Sequence, residues 1–198
     1  MATATPAQPK VLIAEDEAII RLDLKEMLEE EGFDVVGEAA DGDAALRLTR
    51  ERTPDLVIMD VKMPGMDGLS AAEQIVSDDL AAVLVLTAFS QKDLVKRAAE
   101  AGALGYLVKP FQKSDLLPAI EIALARHAEL ASVRHESRSL EEQLETRKLV
   151  DRAKGLLMDA GGMTEAEAFR HIQKRAMDSR MSMRAVAEEV LREAPQAR

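Results

Sequence analysis

Cysteine and tryptophan are absent from the 198 residues, and aromatic residues make up only 3% of them. Without cysteine the chain has neither disulfides nor thiolate chemistry, which fits the reducing cytoplasm. The chain also lacks a run of about 18 apolar residues, the length of a membrane-spanning helix. The first residues, MATATPAQPK, lack the basic start and apolar core of a secretory signal. We therefore expect a cytoplasmic protein, without a membrane partner, whose cores are built from aliphatic side chains and methionine.

Charge is distributed unevenly along the chain. The formal net charge is -10, but residues 146–198 hold 11 basic and 8 acidic residues, whereas residues 1–145 hold 15 basic and 28 acidic ones. This asymmetry predicts two domains with different partners. The anionic first part is a poor candidate for nucleic-acid binding, and the mildly basic second part is a better one.

Short apolar segments alternate with helical patterns over residues 10–125. The predicted strands are 11–14, 33–36, 56–59, 82–86 and 104–108, and the helices between them are 18–31, 41–52, 69–77 and 91–101. Strands that alternate with helices in this way indicate an α/β fold with a five-stranded parallel sheet. Residues 1–9, with two prolines, are expected to form a disordered tail.

The remainder of the chain has only helical periodicity. A long helical stretch begins at Ser114, and residues 126–145 are expected to be a helical linker. Within it, apolar residues and one serine alternate in steps of three and four, which leaves open a coiled coil or a plain amphipathic connector: Leu130, Val133, Ser137, Leu140 and Leu144. Residues 146–193 predict a small all-α domain of three helices, the last two at 165–178 and 183–193, followed by a tail at 194–198. Thr164 and Glu167 have the spacing of a capping box, and Phe169 is placed on an inward face.

Polar residues stand where the predicted strands end. They are Glu15 and Asp16, Asp60, Thr87, and Lys109. The carboxyl ends of parallel strands lie on one side of a sheet, so these side chains should converge. Clustered carboxylates need a cation between them, and a site with only oxygen ligands favours Mg²⁺. A lone aspartate at a strand end usually forms a turn, but the whole set fits an aspartate nucleophile, Asp60, that accepts a phosphoryl group with support from Thr87 and Lys109.

Residues 10–125 resemble the receiver domain of two-component response regulators. The resemblance is carried by Glu15-Asp16, Asp60 ahead of KMPGMDG, Thr87-Ala88, Tyr106 and Lys109-Pro110. It implies a doubly wound, flavodoxin-like sheet of order 2-1-3-4-5, a cis bond before Pro110, and phosphorylation of Asp60 by a sensor histidine kinase. It also implies that Asp16, Asp60 and the backbone carbonyl of Lys62 ligate Mg²⁺, with Glu15 acting through water. Thr87 and Tyr106 would form the switch that responds to the phosphoryl group.

The last domain resembles an ANTAR domain, an RNA-binding module of transcription antiterminators. The matching residues are Ala153-Lys154-Gly155, Leu157-Met158, Glu167-Ala168-Phe169, Ala176-Met177 and Val186-Ala187. The resemblance implies binding to hairpin-loop RNA in nascent leader transcripts, with Arg152, Lys154, Gly155, Arg175 and Arg184 expected to face the RNA. With so few aromatic residues, base stacking on protein rings is expected to be minor.

These features predict a regulator without an enzymatic output. We expect a monomer that forms a homodimer on phosphorylation. Two other functions remain open from the sequence. The basic helices would also suit a DNA-binding transcription regulator, and a tail that only dimerises would make the chain a protein-interaction adaptor.

Overall fold

The computed structural model describes residues 8–88 and 92–193, which form two compact units, one through Ala131 and one from Ser132. Residues 1–7 of the predicted first tail, the predicted tail 194–198, and residue 91 of the predicted fourth helix lie outside the described residues.

The first unit alternates strands and helices as predicted. Its elements are β1 (Lys10–Ala14), α1 (Ala18–Glu30), β2 (Asp34–Ala39), α2 (Gly42–Arg52), β3 (Leu56–Asp60), α3 (Gly68–Ser77), β4 (Ala82–Thr87), α4 (Lys92–Glu100) and β5 (Gly105–Val108). The five strands are parallel in the order β2-β1-β3-β4-β5, which confirms the predicted fold and order. The Lys109–Pro110 bond is cis, also as predicted.

The second strand is longer than predicted. It was expected over residues 33–36 but runs from Asp34 to Ala39, and its pairing with β1 shifts register between Val11 and Leu12. Gly37 and Glu38 are weak strand formers by themselves. They are held extended because β1 supplies the hydrogen-bonding partner, which local composition does not reveal.

The sheet has an apolar cluster on each face. The central strands β3 and β4 are buried along their whole length. On one face Leu46 of α2 and Ile75 of α3 pack on the sheet, and on the other face Leu24 and Leu28 of α1 do so. Helices on both faces explain why the central strands read as continuous apolar runs instead of alternating ones.

The second unit is helical. A 49-residue helix, α5 (Lys113–Gly161), begins in the first unit, where Leu116 and Ile120 pack on the sheet, and ends in the second. It is followed by α6 (Glu165–Ser179) and α7 (Met183–Glu193). The Thr164–Glu167 capping box is present at the start of α6, as predicted. The core of the unit is small and aliphatic: Val150, Ala153, Ile172, Ala176, Val186, Ala187 and Val190.

Phe169 was wrongly placed in this core. Its side chain is 43% exposed. The buried face of α6 follows Ala168, Ile172 and Ala176 at intervals of four. Phe169 lies about 100° further round the helix than Ala168, which turns it away from that face.

Gly68 fixes the end of the central strand. Its N–H donates to the carbonyl of Val61 over 3.0 Å. A Cβ at this position would lie 1.8 Å from the carbonyl oxygen of Asp60, a backbone atom that cannot move without displacing β3. Glycine is therefore required here for close approach of two backbone segments.

We predict that Gly68→Ala lowers the free energy of unfolding by about 3 kcal/mol, at the upper end of overpacking costs. Gly155→Ala is the matched control, because a Cβ at Gly155 meets no heavy atom within 4 Å. As a helix-interior substitution it should stabilise its helix by about 0.5–1 kcal/mol. Urea unfolding followed by circular dichroism measures both changes, and equal effects of the two substitutions would contradict the assignment.

Candidate functional site

Strand register brings the predicted polar residues to one edge of the sheet. Ala14 pairs with Met59, Asp60 with Leu86, and Thr87 with Val108, so the strands end side by side. A cleft of about 210 Å³ lies at this edge. It is lined by Asp16, Glu17, Asp60, Val61, Lys62, Thr87, Ala88 and Lys109. The residues predicted for phosphoryl transfer, far apart in sequence, therefore meet at one place.

Lys109 joins two buried carboxylates. Its Nζ lies 2.5 Å from Oε2 of Glu15 and 2.9 Å from Oδ1 of Asp60. The side chains of Glu15, Asp60 and Lys109 are 0%, 8% and 13% exposed. Two carboxylates so far from water would repel each other strongly without a cation, and the lysine supplies that cation.

The pKa values of Glu15 and Lys109 are set by burial, which disfavours charge, and by their mutual hydrogen bond, which favours it. Burial raises the pKa of Glu15, and the charge of Asp60 adds to the rise, while the hydrogen bond from Lys109 opposes it. Burial by itself would lower the pKa of Lys109, but its hydrogen bonds to Glu15 and Asp60 outweigh that effect and raise it. We conclude that Lys109 carries its positive charge at neutral pH.

The acidic residues fit the magnesium ion that a receiver domain implies. Carboxylate oxygens of Glu15, Asp16 and Asp60 all lie within 4.8 Å of one another. Such a set of hard oxygen donors suits Mg²⁺. Glu15 is occupied on both sides, since Oε2 accepts from Lys109 and Oε1 accepts from the N–H of Glu17 over 3.3 Å. Asp16 is exposed, and the N–H of Lys62 donates to Oδ2 of Asp60 over 3.1 Å.

The two predicted switch residues occupy different surroundings. Thr87 is buried at 4% exposure, lines the cleft, and its carbonyl accepts from the N–H of Lys109 over 2.8 Å. Tyr106 on β5 is 48% exposed and lines a separate groove with Ala98 and Ile122. The structure thus places Thr87 with the acidic cluster and Tyr106 away from it.

Arg21 is a further cation at the site that we did not predict. Its guanidinium donates to the carbonyl of Glu15 over 2.5 Å and lies 3.5 Å from the carboxylate of Glu38. It holds the backbone that carries Glu15 and Asp16. The sequence signal was available, because a single arginine stands one helical turn beyond three consecutive acids.

The residues predicted to face RNA are spread over three helices, and carboxylates engage three of them. Lys154 binds Asp151 and Glu165, both over 2.8 Å. Arg175 binds Glu189 over 3.0 Å and Glu193 over 2.7 Å, and Arg184 binds Glu188 over 3.1 Å. Arg152 and Gly155 complete the set on α5, where Arg152 is exposed and Gly155 is half-buried. These ion pairs compensate much of the positive charge locally.

Family comparisons agree with both domains. The sequence profile of the "Response regulator receiver domain" matches residues 11–121, and that of the "ANTAR domain" matches residues 138–191. The chain belongs to the response regulators. As a member of this family it combines a receiver domain with a C-terminal ANTAR domain, as the sequence predicted.

Some relatives of this response regulator match nearly the whole chain, and others match only its receiver domain. The transcriptional regulatory protein PdtaR of Mycobacterium tuberculosis is 60% identical over 92% of this chain and 89% of its own. The chemotaxis protein CheY of Bacillus subtilis is 40% identical over 58% of this chain and 97% of its own. The receiver domain of the response regulator NarL from M. tuberculosis, a solved structure, has a TM-score of 0.59 at 33% identity and covers 61% of this chain and 98% of its own.

Another solved structure, the CheX–CheY–BeF3–Mg²⁺ complex of Borrelia burgdorferi, has a TM-score of 0.54 at 30% identity and covers 56% of this chain and 85% of its own.

Over residues 8–88 and 92–193, none of the helices has the length and apolarity needed to cross a membrane.

We predict that Lys109→Gln lowers the free energy of unfolding by roughly 3–5 kcal/mol at neutral pH, because it leaves two buried carboxylates without their cation. Lys113→Gln is the control, since Lys113 bridges Glu30 and Glu31 at the surface, where water screens the charges, and its loss should change stability far less. Urea unfolding followed by the fluorescence of Tyr106, the single tyrosine, measures both.

The loss in Lys109→Gln should shrink as the pH falls. Lys109 opposes the raised pKa of Glu15, so its removal raises that pKa further. The folded variant then binds a proton at a pH where the unfolded chain, with Glu15 near its ordinary 4.5, does not. Its stability therefore rises as the pH falls through that window. A loss that is independent of pH, or one no larger than that of Lys113→Gln, would contradict the role given to Lys109.

Proposed function

We propose that this response regulator is a phosphorylation-controlled RNA-binding antiterminator. Asp60 accepts a phosphoryl group from a sensor histidine kinase, and the ANTAR domain then binds hairpin-loop RNA in nascent leader transcripts so that the polymerase reads through. The observation that carries the proposal is Asp60 itself, a buried carboxylate 2.9 Å from the ammonium of Lys109, in a chain that also matches the ANTAR domain.

The transfer step follows from the surroundings of Asp60. A carboxylate oxygen attacks the phosphorus of a phosphohistidine, a P–O bond forms, and the P–N bond breaks with its electron pair leaving on the imidazole. Lys109 neutralises the transferring oxygens, and the hydroxyl of Thr87 donates to them once they are in place. The chain thereby assists its own phosphorylation and dephosphorylation, and it needs no other enzymatic activity.

Asp16, Asp60 and the carbonyl of Lys62 would hold Mg²⁺, with Glu15 acting through water. The ion would supply positive charge to the phosphoryl oxygens. The acidic cluster and the Mg²⁺ named in the B. burgdorferi CheY complex support this assignment.

We predict that Asp16→Asn weakens Mg²⁺ binding at least about tenfold, because it removes the exposed carboxylate of the set. Asp23→Asn, an exposed aspartate on α1, is the matched control and should bind as wild type does. Isothermal titration calorimetry with MgCl₂ measures both. Equal affinities of the two variants would remove Asp16 from the site.

Phosphorylation is proposed to act through Thr87 and Tyr106. Movement of Thr87 toward the phosphoryl oxygens would free space into which Tyr106 turns, and this changes the surface formed by α4, β5 and the start of α5. The resting chain is proposed to be a monomer. A second copy would cover the exposed apolar seam of α5, where Leu130, Val133, Leu140 and Leu144 are 41–60% exposed.

The ANTAR domain is proposed to contact RNA with Arg152, Lys154, Gly155, Arg175 and Arg184. The ion pairs of Lys154, Arg175 and Arg184 are solvent-accessible at least on one partner, so phosphate oxygens can replace the carboxylates.

We predict that Asp60→Asn abolishes phosphorylation by a small-molecule phosphoryl donor and leaves both hairpin-RNA affinity and molecular mass, measured by light scattering, at the unphosphorylated level. The chain with the donor should bind hairpin RNA more tightly and should dimerise. The matched control is Asp55→Asn at the opposite end of the same strand, where the carboxylate accepts from the N–H of Lys10. It should be phosphorylated as wild type is.

The same titrations test the nucleic-acid class. Matched duplex DNA and hairpin RNA are compared at equal salt, because phosphate contacts alone bind both. Preference for the hairpin is expected. Asp60→Asn protein that binds RNA as phosphorylated wild type does would exclude the switch, and preference for the duplex would favour a DNA-binding regulator.

A further inference from the structure

Phe169 is an aromatic side chain exposed in a protein that has few of them. The chain contains four phenylalanines and one tyrosine, and Phe33 and Phe111 pack against the sheet. Phe169 instead is 43% exposed on α6. An exposed ring forgoes the free energy that burial in the core would provide. Exposed apolar surface of this kind often marks a site where another molecule binds.

The ring lines a groove within the second unit. The groove has a volume of about 590 Å³, within the range of small-ligand sites, and lies between the second half of α5, α6 and the start of α7. Phe169, Val150 and Met183 form its apolar part. Gln143 and Thr146 contribute an amide and a hydroxyl to the same groove.

Two cations line the groove next to these groups. Arg147 is exposed, and the side chain of Lys154 is 14% exposed and bound to Asp151 and Glu165. Two carboxylates, Glu142 and Asp151, line the groove as well. One concave surface thus combines an aromatic face, neutral hydrogen-bonding groups, two cations and two carboxylates.

We propose that this groove takes one base extruded from an RNA hairpin loop, which stacks on the ring of Phe169. The inference rests on the proposed RNA-binding function. Sequence-specific RNA recognition uses unpaired loop bases that stack on aromatic side chains and are read at their edges. Gln143 and Thr146 read the edge of the base, and Arg147 and Lys154 hold the flanking phosphates.

The composition of the groove favours RNA over a second copy of the chain. The core of a homodimer interface is apolar and depleted of charged residues. This groove is lined by four charged residues, Glu142, Arg147, Asp151 and Lys154, together with an amide and two hydroxyls. The exposed apolar seam that suits a second copy is separate, since neither Leu140 nor Leu144 lines the groove.

The carboxylates give the site a preference. One oxygen of Asp151 is bound to Lys154, and Glu142 lines the same groove. Both groups accept hydrogen bonds only, so they match the exocyclic amino group of adenine, guanine or cytosine, a group that uracil lacks. This proposed stacking role differs from the expectation from the sequence that protein rings contribute little to RNA binding, and the experiment below decides between them.

The test uses the phosphorylated full-length chain and the hairpin that it enriches from a pool with a fixed stem and a randomised loop. Phe169→Leu keeps an apolar side chain but removes the ring, and Phe169→Tyr keeps the ring. Met177→Leu is the control, because Met177 is 73% exposed on the same helix and does not line the groove. 2-Aminopurine, which carries an exocyclic amino group, is placed in turn at each loop position as a second readout.

Phe169→Leu should weaken hairpin binding roughly 5- to 150-fold, the effect of losing one stacked base, and should leave the salt dependence unchanged. Phe169→Tyr and Met177→Leu should bind within about twofold of wild type. In wild type, emission at one loop position should rise on binding as that base leaves the RNA stack.

Wild type that binds the hairpin while Phe169→Leu binds it equally well would overturn this inference and leave the proposed function standing. If light scattering shows that the Phe169→Leu protein no longer dimerises, the inference is also overturned, and the groove is assigned to a second copy of the chain. Wild type that enriches no hairpin would overturn the proposed function, and this inference with it.

Discussion

One ammonium group, that of Lys109, makes the carboxyl edge of the sheet possible. It lies between Glu15 and Asp60, whose side chains are almost completely shielded from water. Two carboxylates cannot both be ionised there without a cation. Because β1, β3 and β5 each deliver one member of the trio, the arrangement depends on the strand order and register of the whole sheet. The same charge that stabilises the resting site is the one that an incoming phosphoryl group requires.

The second unit shows a different use of charge. Several of its basic side chains are paired with neighbouring acids, as in the contacts of Arg175 with Glu189 and Glu193. Such pairing lowers the field that would attract any polyanion. Specificity then has to come from shape and from contacts to unpaired bases, and the exposed ring of Phe169 is suited to that purpose.

Much of the fold and of the acidic site could be predicted, because the sequence patterns that indicate them are local or recur at the ends of strands. The apolar run before Asp60 indicated a central strand, and the capping box at Thr164 is a short-range pattern. Two features could not be predicted from local sequence. The extension of β2 through Glu38 depends on pairing with β1, and the hydrogen bond from Arg21 to the carbonyl of Glu15 depends on how α1 packs. Phe169 was misplaced because its hydrophobicity was read as a sign of burial, whereas the buried face of α6 follows Ala168, Ile172 and Ala176.

The most direct measurement is the site of the phosphoryl group itself. The chain is phosphorylated with a small-molecule donor and Mg²⁺, the acyl phosphate is reduced with borohydride, and the modified residue is mapped by peptide mass spectrometry. The account predicts modification at Asp60 alone, since that carboxylate is held against Lys109 at the floor of the cleft. Modification at Asp16 or Glu15, or none in the peptide that carries Asp60, would contradict it.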